Sequence, residues 1–112
     1  MNHTRLNAYR VMWLIVSFDL PVVSSLEKKR AARFRKDLLN DGFAMMQYSI
    51  YIRHCASKES MNVHVKRVKS FTPPAGHVSI MAITDKQYGN IINIWGRKTK
   101  PLEPPPPQME LF

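Results

Sequence analysis

One cysteine, four glycines and eight acidic residues are all that this chain of 112 residues contains of those types. Each shortage removes a class of protein. A lone Cys55 cannot close an internal disulfide, which fits a reducing cytoplasm as the compartment. Four glycines leave no Gly-rich loop to cradle a phosphate. The four histidines, His3, His54, His64 and His77, fall into no zinc spacing, and the adjacent His54-Cys55 pair has poor chelate geometry on a strand. Cys55 also lacks any local signature of a nucleophile. No apolar stretch approaches the ~20 residues that span a bilayer, so no membrane partner is expected. The opening MNHTRLNAYR has no apolar signal core, and residues 1–10 read as a flexible lead.

What is abundant is positive charge. Seventeen Lys and Arg against eight Asp and Glu give a net charge of +9, which predicts long-range attraction to polyanions, nucleic acid foremost. The apolar fraction of 45% suits one core, and a domain this small gains from dimerising.

The run VMWLIVSF (11–18) is apolar and β-branched, and reads as a central strand buried on both faces. Ser24 with Glu27 forms a capping-box pattern that starts a helix, in which Ala31, Phe34 and Leu38 make the buried stripe. Asp41-Gly42 ends it. FAMMQYSIYIRH (43–54) reads as one strand, with Gln47, Ser49, Tyr51 and Arg53 on its wetter face, from which Ser49 and Tyr51 can reach a phosphate. Ser57 caps a second helix whose Met61, Val65 and Val68 share a face. FTPPAG (71–76) is a loop, HVSIMAIT (77–84) a third strand, DKQYGN a turn, and IINIW (91–95) a fourth strand. The resulting order, strand–helix–strand–helix–strand–strand, differs from the ferredoxin-like βαββαβ. A bend within 43–54, or a last strand edging the sheet, would reconcile the two. Residues 11–96 make the domain; 97–112 make a C-terminal arm, with a polyproline spacer at Pro104–Pro107 and apolar anchors at Met109, Leu111 and Phe112 for a partner's sheet edge.

The first helix carries Lys28, Lys29, Arg30, Arg33, Arg35 and Lys36 within nine residues. Lys29, Arg33 and Lys36, at i, i+4 and i+7, line an exposed stripe suited to a phosphate backbone. Lys66, Arg67 and Lys69 form a second, weaker cluster. Such contacts carry no base sequence information. Asp19, ahead of Leu20-Pro21, is either an Asx-turn former or a metal ligand. One carboxylate is a poor Mg2+ site, but a twofold dimer would bring two copies together.

IVSFDLP, the basic helix running into FRKDLLNDGF, the strand MMQYSIY and the segment TDKQYGNI, in that order and spacing, resemble the CRISPR-associated protein 2 family, in the form found beside type II systems. The resemblance spans roughly residues 11–112. It implies an α+β, ferredoxin-like sandwich that is homodimeric, with an additional C-terminal edge strand crossing to the partner. It also implies a role as the DNA-binding scaffold of spacer acquisition. The dimer would bridge dimers of the CRISPR integrase, CRISPR-associated protein 1, and hold a double-stranded protospacer. The alternative it implies is a metal-dependent endonuclease acting on DNA or RNA, with Asp19 as the catalytic acid holding Mg2+ or Mn2+; a stand-alone, toxin-like ribonuclease of similar fold is a third reading. One departure bears on hydrolysis: many relatives carry an arginine two residues before the strand glutamine, where this chain has Met45 before Gln47.

Overall fold

Strand β1 (Val11–Asp19) is flanked on both sides by antiparallel neighbours in the computed structural model, which describes residues 11–100. Helix α1 (Ser25–Asn40) follows, then β2 (Ala44–Gln47), β3 (Ile50–His54), helix α2 (Lys58–Phe71), β4 (His77–Thr84), the short helix α3 (Asp85–Gly89), β5 (Asn93–Trp95) and β6 (Lys98–Lys100). The first four strands form one sheet in the order β2-β3-β1-β4, with α1 and α2 on one face. This is the ferredoxin-like α+β arrangement.

The segment 43–54, expected as one strand, is a hairpin that turns at Tyr48-Ser49, with a register shift between Met45 and Gln47. That turn supplies the missing strand of the βαββαβ order. It also reverses the expected facing. Tyr51 lies opposite Val16 and is only 3% exposed, packed against Phe18 under the helices, whereas Tyr48 stands exposed in the turn. Tyr51 is therefore a core residue and offers no phosphate contact. The periodicity misleads because the more apolar side of β3, Ile50 and Ile52, is the side the helices leave uncovered, while Tyr51 and Arg53 face the helices, so alternation alone does not say which face is covered. DKQYGN is likewise a helix, not a simple turn: Thr84 caps it and Gln87 closes a capping box.

Helix α1 begins as its sequence dictates. Ser24 Oγ accepts from the Glu27 amide, and Glu27 Oε1 accepts from the amides of Ser24 and Val23. The Ser24 N–H holds the Glu27 carboxyl below its ordinary pKa. At the other end Gly42, at φ +90°, lets the chain turn back, and a Cβ there would meet Arg53 Nη1 at 3.0 Å.

Leu14, Val16 and Phe18 of β1 meet Phe34 and Leu38 of α1 and Met61 and Val68 of α2. The expected stripe Ala31, Phe34, Leu38 is the buried one. On α2 the third buried residue is His64, with Val65 at the margin of the core. His64 is tolerated because its Nδ1 lies 2.7 Å from Asp41 Oδ2, while Arg67 Nη1 donates to Asp41 Oδ1 at 3.0 Å. A carboxylate at the negative end of a helix is unfavourable alone; here the Arg67 cation offsets it and ties α1 to α2. Cys55 is buried, and burial pushes its thiol pKa up to about 11, so it is a packed thiol at neutral pH, not a nucleophile.

The β5–β6 ribbon is a separate two-stranded sheet turning at Gly96, φ +63°. The strand expected at 91–95 thus exists as β5, but within the protomer it does not edge the main sheet. β6 lies inside the 97–112 segment read as an arm, and the anchors Met109, Leu111 and Phe112 lie outside the described residues.

Replacing Asp41 by Ala leaves the buried His64 without its partner, so urea unfolding should show a loss of about 1–3 kcal/mol. A change under about 0.5 kcal/mol, the range of ordinary surface substitutions, would contradict this account of the helix–helix tie.

Candidate functional site

Two surfaces carry the residues that the sequence singled out, and they point in opposite directions. The first is the outer side of α1. Burial of Ala31, Phe34 and Leu38 turns Lys29, Arg33 and Lys36 to the far side of the helix, where all three are exposed. Lys28 and Arg30 flank them, also exposed. Arg33 pairs with Asp37 through Nε at 3.3 Å, an exposed i, i+4 contact that a phosphate can displace at small cost. Beside the ridge runs a groove lined by Lys29, Arg30, Arg33, Phe34, Phe71 and Pro73.

Arg35 is set apart from this ridge. Its guanidinium lies 3.5 Å above the Tyr48 ring and 4.9 Å from that of Phe18, and it donates to the Tyr48 carbonyl. It clamps the β2–β3 turn onto α1, which makes it structural where the sequence read it as a phosphate contact. On α2, Lys66 and Lys69 are exposed, whereas Arg67 is taken up by Asp41.

The second surface is the face of the sheet that α1 and α2 leave uncovered. Trp13, Ile15, Ser17 and Asp19 alternate along β1, and the register places Ile52 and Ile50 of β3 and Ile83, Met81, Ser79 and His77 of β4 beside them. One end is closed by α3: Tyr88 stacks on Trp13 at 3.8 Å and Trp13 Nε1 donates to Asp85 Oδ1 at 2.6 Å. The other end is open. Met81, at its middle, is 45% exposed.

Asp19 ends β1 at that open end. Its carboxylate is exposed and, among the described residues, accepts no hydrogen bond and joins no ion pair. The Asx-turn reading needs such a bond and so has no support; the ligand reading needs a free carboxylate and has one. The donor is a hard oxygen, which suits Mg2+ or Mn2+. Among the described residues, however, no group of three or more His, Cys, Asp or Glu side chains could hold an ion. A single protomer therefore falls short, and Asp19 fits a metal only if further donors arrive from a second copy or from a nucleic acid.

In the sequence His77 figures only among the histidines that fall into no zinc spacing, and Ser79 is not singled out. His77 sits directly across from Asp19, and Ser79 Oγ lies 3.3 Å from His77 Nε2. Only the β1–β4 register brings them to Asp19, and no sequence spacing announces it.

No helix among the described residues is long and apolar enough to cross a membrane. The family profile described as CRISPR associated protein Cas2 matches residues 12–91. The chain is similar to a protein of Flavobacterium psychrophilum named CRISPR-associated endoribonuclease Cas2, with 49% identity over 99% of this chain and 96% of that one. A protein of the same name from Parvibaculum lavamentivorans is 52% identical over 90% of this chain and all of its own length. Another, from Paracidovorax avenae, is 42% identical over 96% of this chain and 99% of its own. A profile that takes in β1 through α3, with relatives this similar along nearly their whole length, makes the chain a member of the CRISPR-associated protein Cas2 family.

Proposed function

We propose that the chain is the DNA-binding scaffold of CRISPR spacer acquisition, acting as a homodimer that bridges dimers of the CRISPR integrase, CRISPR-associated protein 1, and holds a protospacer duplex. The observation that carries this reading is the opposition of the two surfaces. An apolar sheet face lies on one side, and a ridge of exposed cations lies on the other. Packing two copies through the sheet faces buries Ile15, Ile50 and Met81 further and turns both ridges outward. A duplex then meets phosphate-binding surfaces on the exterior, away from Asp19. The β5–β6 ribbon, with Ile92, Ile94 and Trp95 exposed, supports strand donation across the pair, because an exposed apolar ribbon gains by joining a sheet edge.

A second reading has its own support. The relatives are named endoribonucleases, and Asp19 is a free carboxylate at the rim of the face through which two copies would pack. In that reading two Asp19 carboxylates would hold Mg2+ or Mn2+, which would supply an activated water and a Lewis acid for a phosphodiester. Met45, two residues before the strand glutamine Gln47, supplies no cation to stabilise the developing charge.

The two readings separate in a single set of variants. If a dimer makes about eight phosphate contacts, log Kd for duplex DNA should change with log salt at a slope near about 7. Reversing charge at Lys29, Arg33 and Lys36 removes six of those contacts from a dimer, so the slope should fall to roughly 2, and spacer acquisition should be lost. Asp19→Ala should leave both the slope and acquisition intact. Loss of acquisition in Asp19→Ala, with assembly preserved and cleavage abolished alongside, would reverse the ranking of the two readings.

A further inference from the structure

We propose that the groove between α1 and the loop joining α2 to β4 is a site for one unpaired nucleotide, with its phosphate against Lys29, Arg30 and Arg33 and its base against Phe71, Pro73 and Pro74. The inference rests on the reading of α1 as a nucleic-acid surface. It adds a second ligand, a single strand, that holding a duplex does not call for, and it needs one protomer alone.

Three observations carry it. The first is that the groove has two unlike walls. On the α1 side Lys29, Arg30 and Arg33 are all exposed. The acids close to them are already engaged: Glu27 accepts from the Val23 and Ser24 amides, and Asp37 pairs with Arg33 in an exposed contact that a phosphate can displace. Among the described residues Lys29 joins no ion pair. The opposite wall carries no charge and is made of an aromatic ring and two prolines.

The second observation is that this apolar wall is rigid before any ligand arrives. Phe71 is the last residue of α2, and its ring is braced by Phe34, with centroids 5.7 Å apart and planes at 58°. Phe34 itself is only 1% exposed, so the half-buried Phe71 is the ring that a ligand can reach. Thr72 caps the helix in an extended conformation, and its Oγ1 donates to the Val68 carbonyl at 2.7 Å. Pro73 and Pro74 then fix the backbone and bring no N–H that a ligand would have to desolvate.

The third is size. At about 330 Å3 the groove lies at the small end of the ~300–1,000 Å3 range of ligand sites, which suits one nucleotide and not a helix. A duplex keeps its bases paired and stacked inside, so it offers the α1 wall its phosphates and the Phe71 wall nothing. An unpaired nucleotide offers an anion and a flat ring together. Every base has a π-face, so a site of this kind takes any of them.

The test uses the full chain with labelled oligonucleotides at one fixed salt concentration: a single strand, made as DNA and as RNA, and a DNA duplex of the same length. Phe71→Leu keeps an apolar side chain at the margin of the core but removes the ring. It should weaken single-strand binding by about 10-fold and leave duplex binding within about twofold. Lys29→Gln with Arg33→Gln should weaken both. In the wild type, a photoactivated 5-iodouracil in the single strand should crosslink to residues 71–74, and the same base paired in the duplex should not. That measurement decides the matter even if circular dichroism shows Phe71→Leu unfolded. Dependence on Phe71 with the DNA strand, the RNA strand or both supports the site and identifies the strand it takes. Single-strand affinity that survives Phe71→Leu, or crosslinks that fall on the uncovered sheet face, overturns the proposal and leaves the duplex reading standing. Duplex affinity indifferent to Lys29 and Arg33, with single-strand binding still dependent on Phe71, overturns the duplex reading and leaves the groove.

Discussion

The uncovered face of the four-stranded sheet is the constraint on which the rest of the molecule depends. A sheet of this size has two faces to bury, and the two long helices cover only one. On that side Leu14, Val16 and Phe18 meet Phe34, Leu38 and Val68 in a close-packed core. On the other, Ile15, Ile50, Met81 and Ile83 remain without a helix over them, and α3 closes only the end at Trp13. An apolar sheet face rimmed by Ser17, Asp19 and His77 is the usual form of a surface awaiting a partner. A second copy of the same chain would satisfy it by symmetry, since twofold packing matches each patch with itself.

The same constraint orders the electrostatics. Because α1 must turn Ala31, Phe34 and Leu38 to the core, Lys28, Lys29, Arg30, Arg33 and Lys36 are left on its exposed arc. The charge lies on the flank of the molecule, away from the core and from the uncovered sheet face. Arg35 is the exception, drawn back over Tyr48 and Phe18 by ring stacking. The cations thus lie on the outer side of α1 and the Asp19 carboxylate at the rim of the sheet face, on different surfaces of one subunit.

Much of this was legible in the sequence because it is written in local patterns. The capping box at Ser24-Glu27, the stripe Ala31-Phe34-Leu38 and the Asp41-Gly42 stop each depend on neighbours within one or two turns, and each appears where expected. The hairpin within 43–54 was harder. Its turn at Tyr48-Ser49 contains no glycine or proline, and is held in part by Arg35 reaching from another element. The facing of Tyr51 failed for a related reason, since the more apolar side of β3, Ile50 and Ile52, is not the one the helices cover, and only helix packing decides which side is inside. His64 hides in a helical stripe as a polar residue, and only the Asp41–Arg67 contact explains it. The pairing of Asp19 with His77 depends on residues far apart in the chain, and no local signal encodes it.

The central claim is that two copies associate through the uncovered sheet face. Sedimentation analysis of the wild type and of Met81→Glu, with circular dichroism to confirm the fold, tests it most directly. The account predicts a wild-type species of twice the 13.0 kDa chain mass and a folded Met81→Glu protomer. A wild type that sediments as a single chain at working concentration, or a Met81→Glu variant that stays paired, would contradict it.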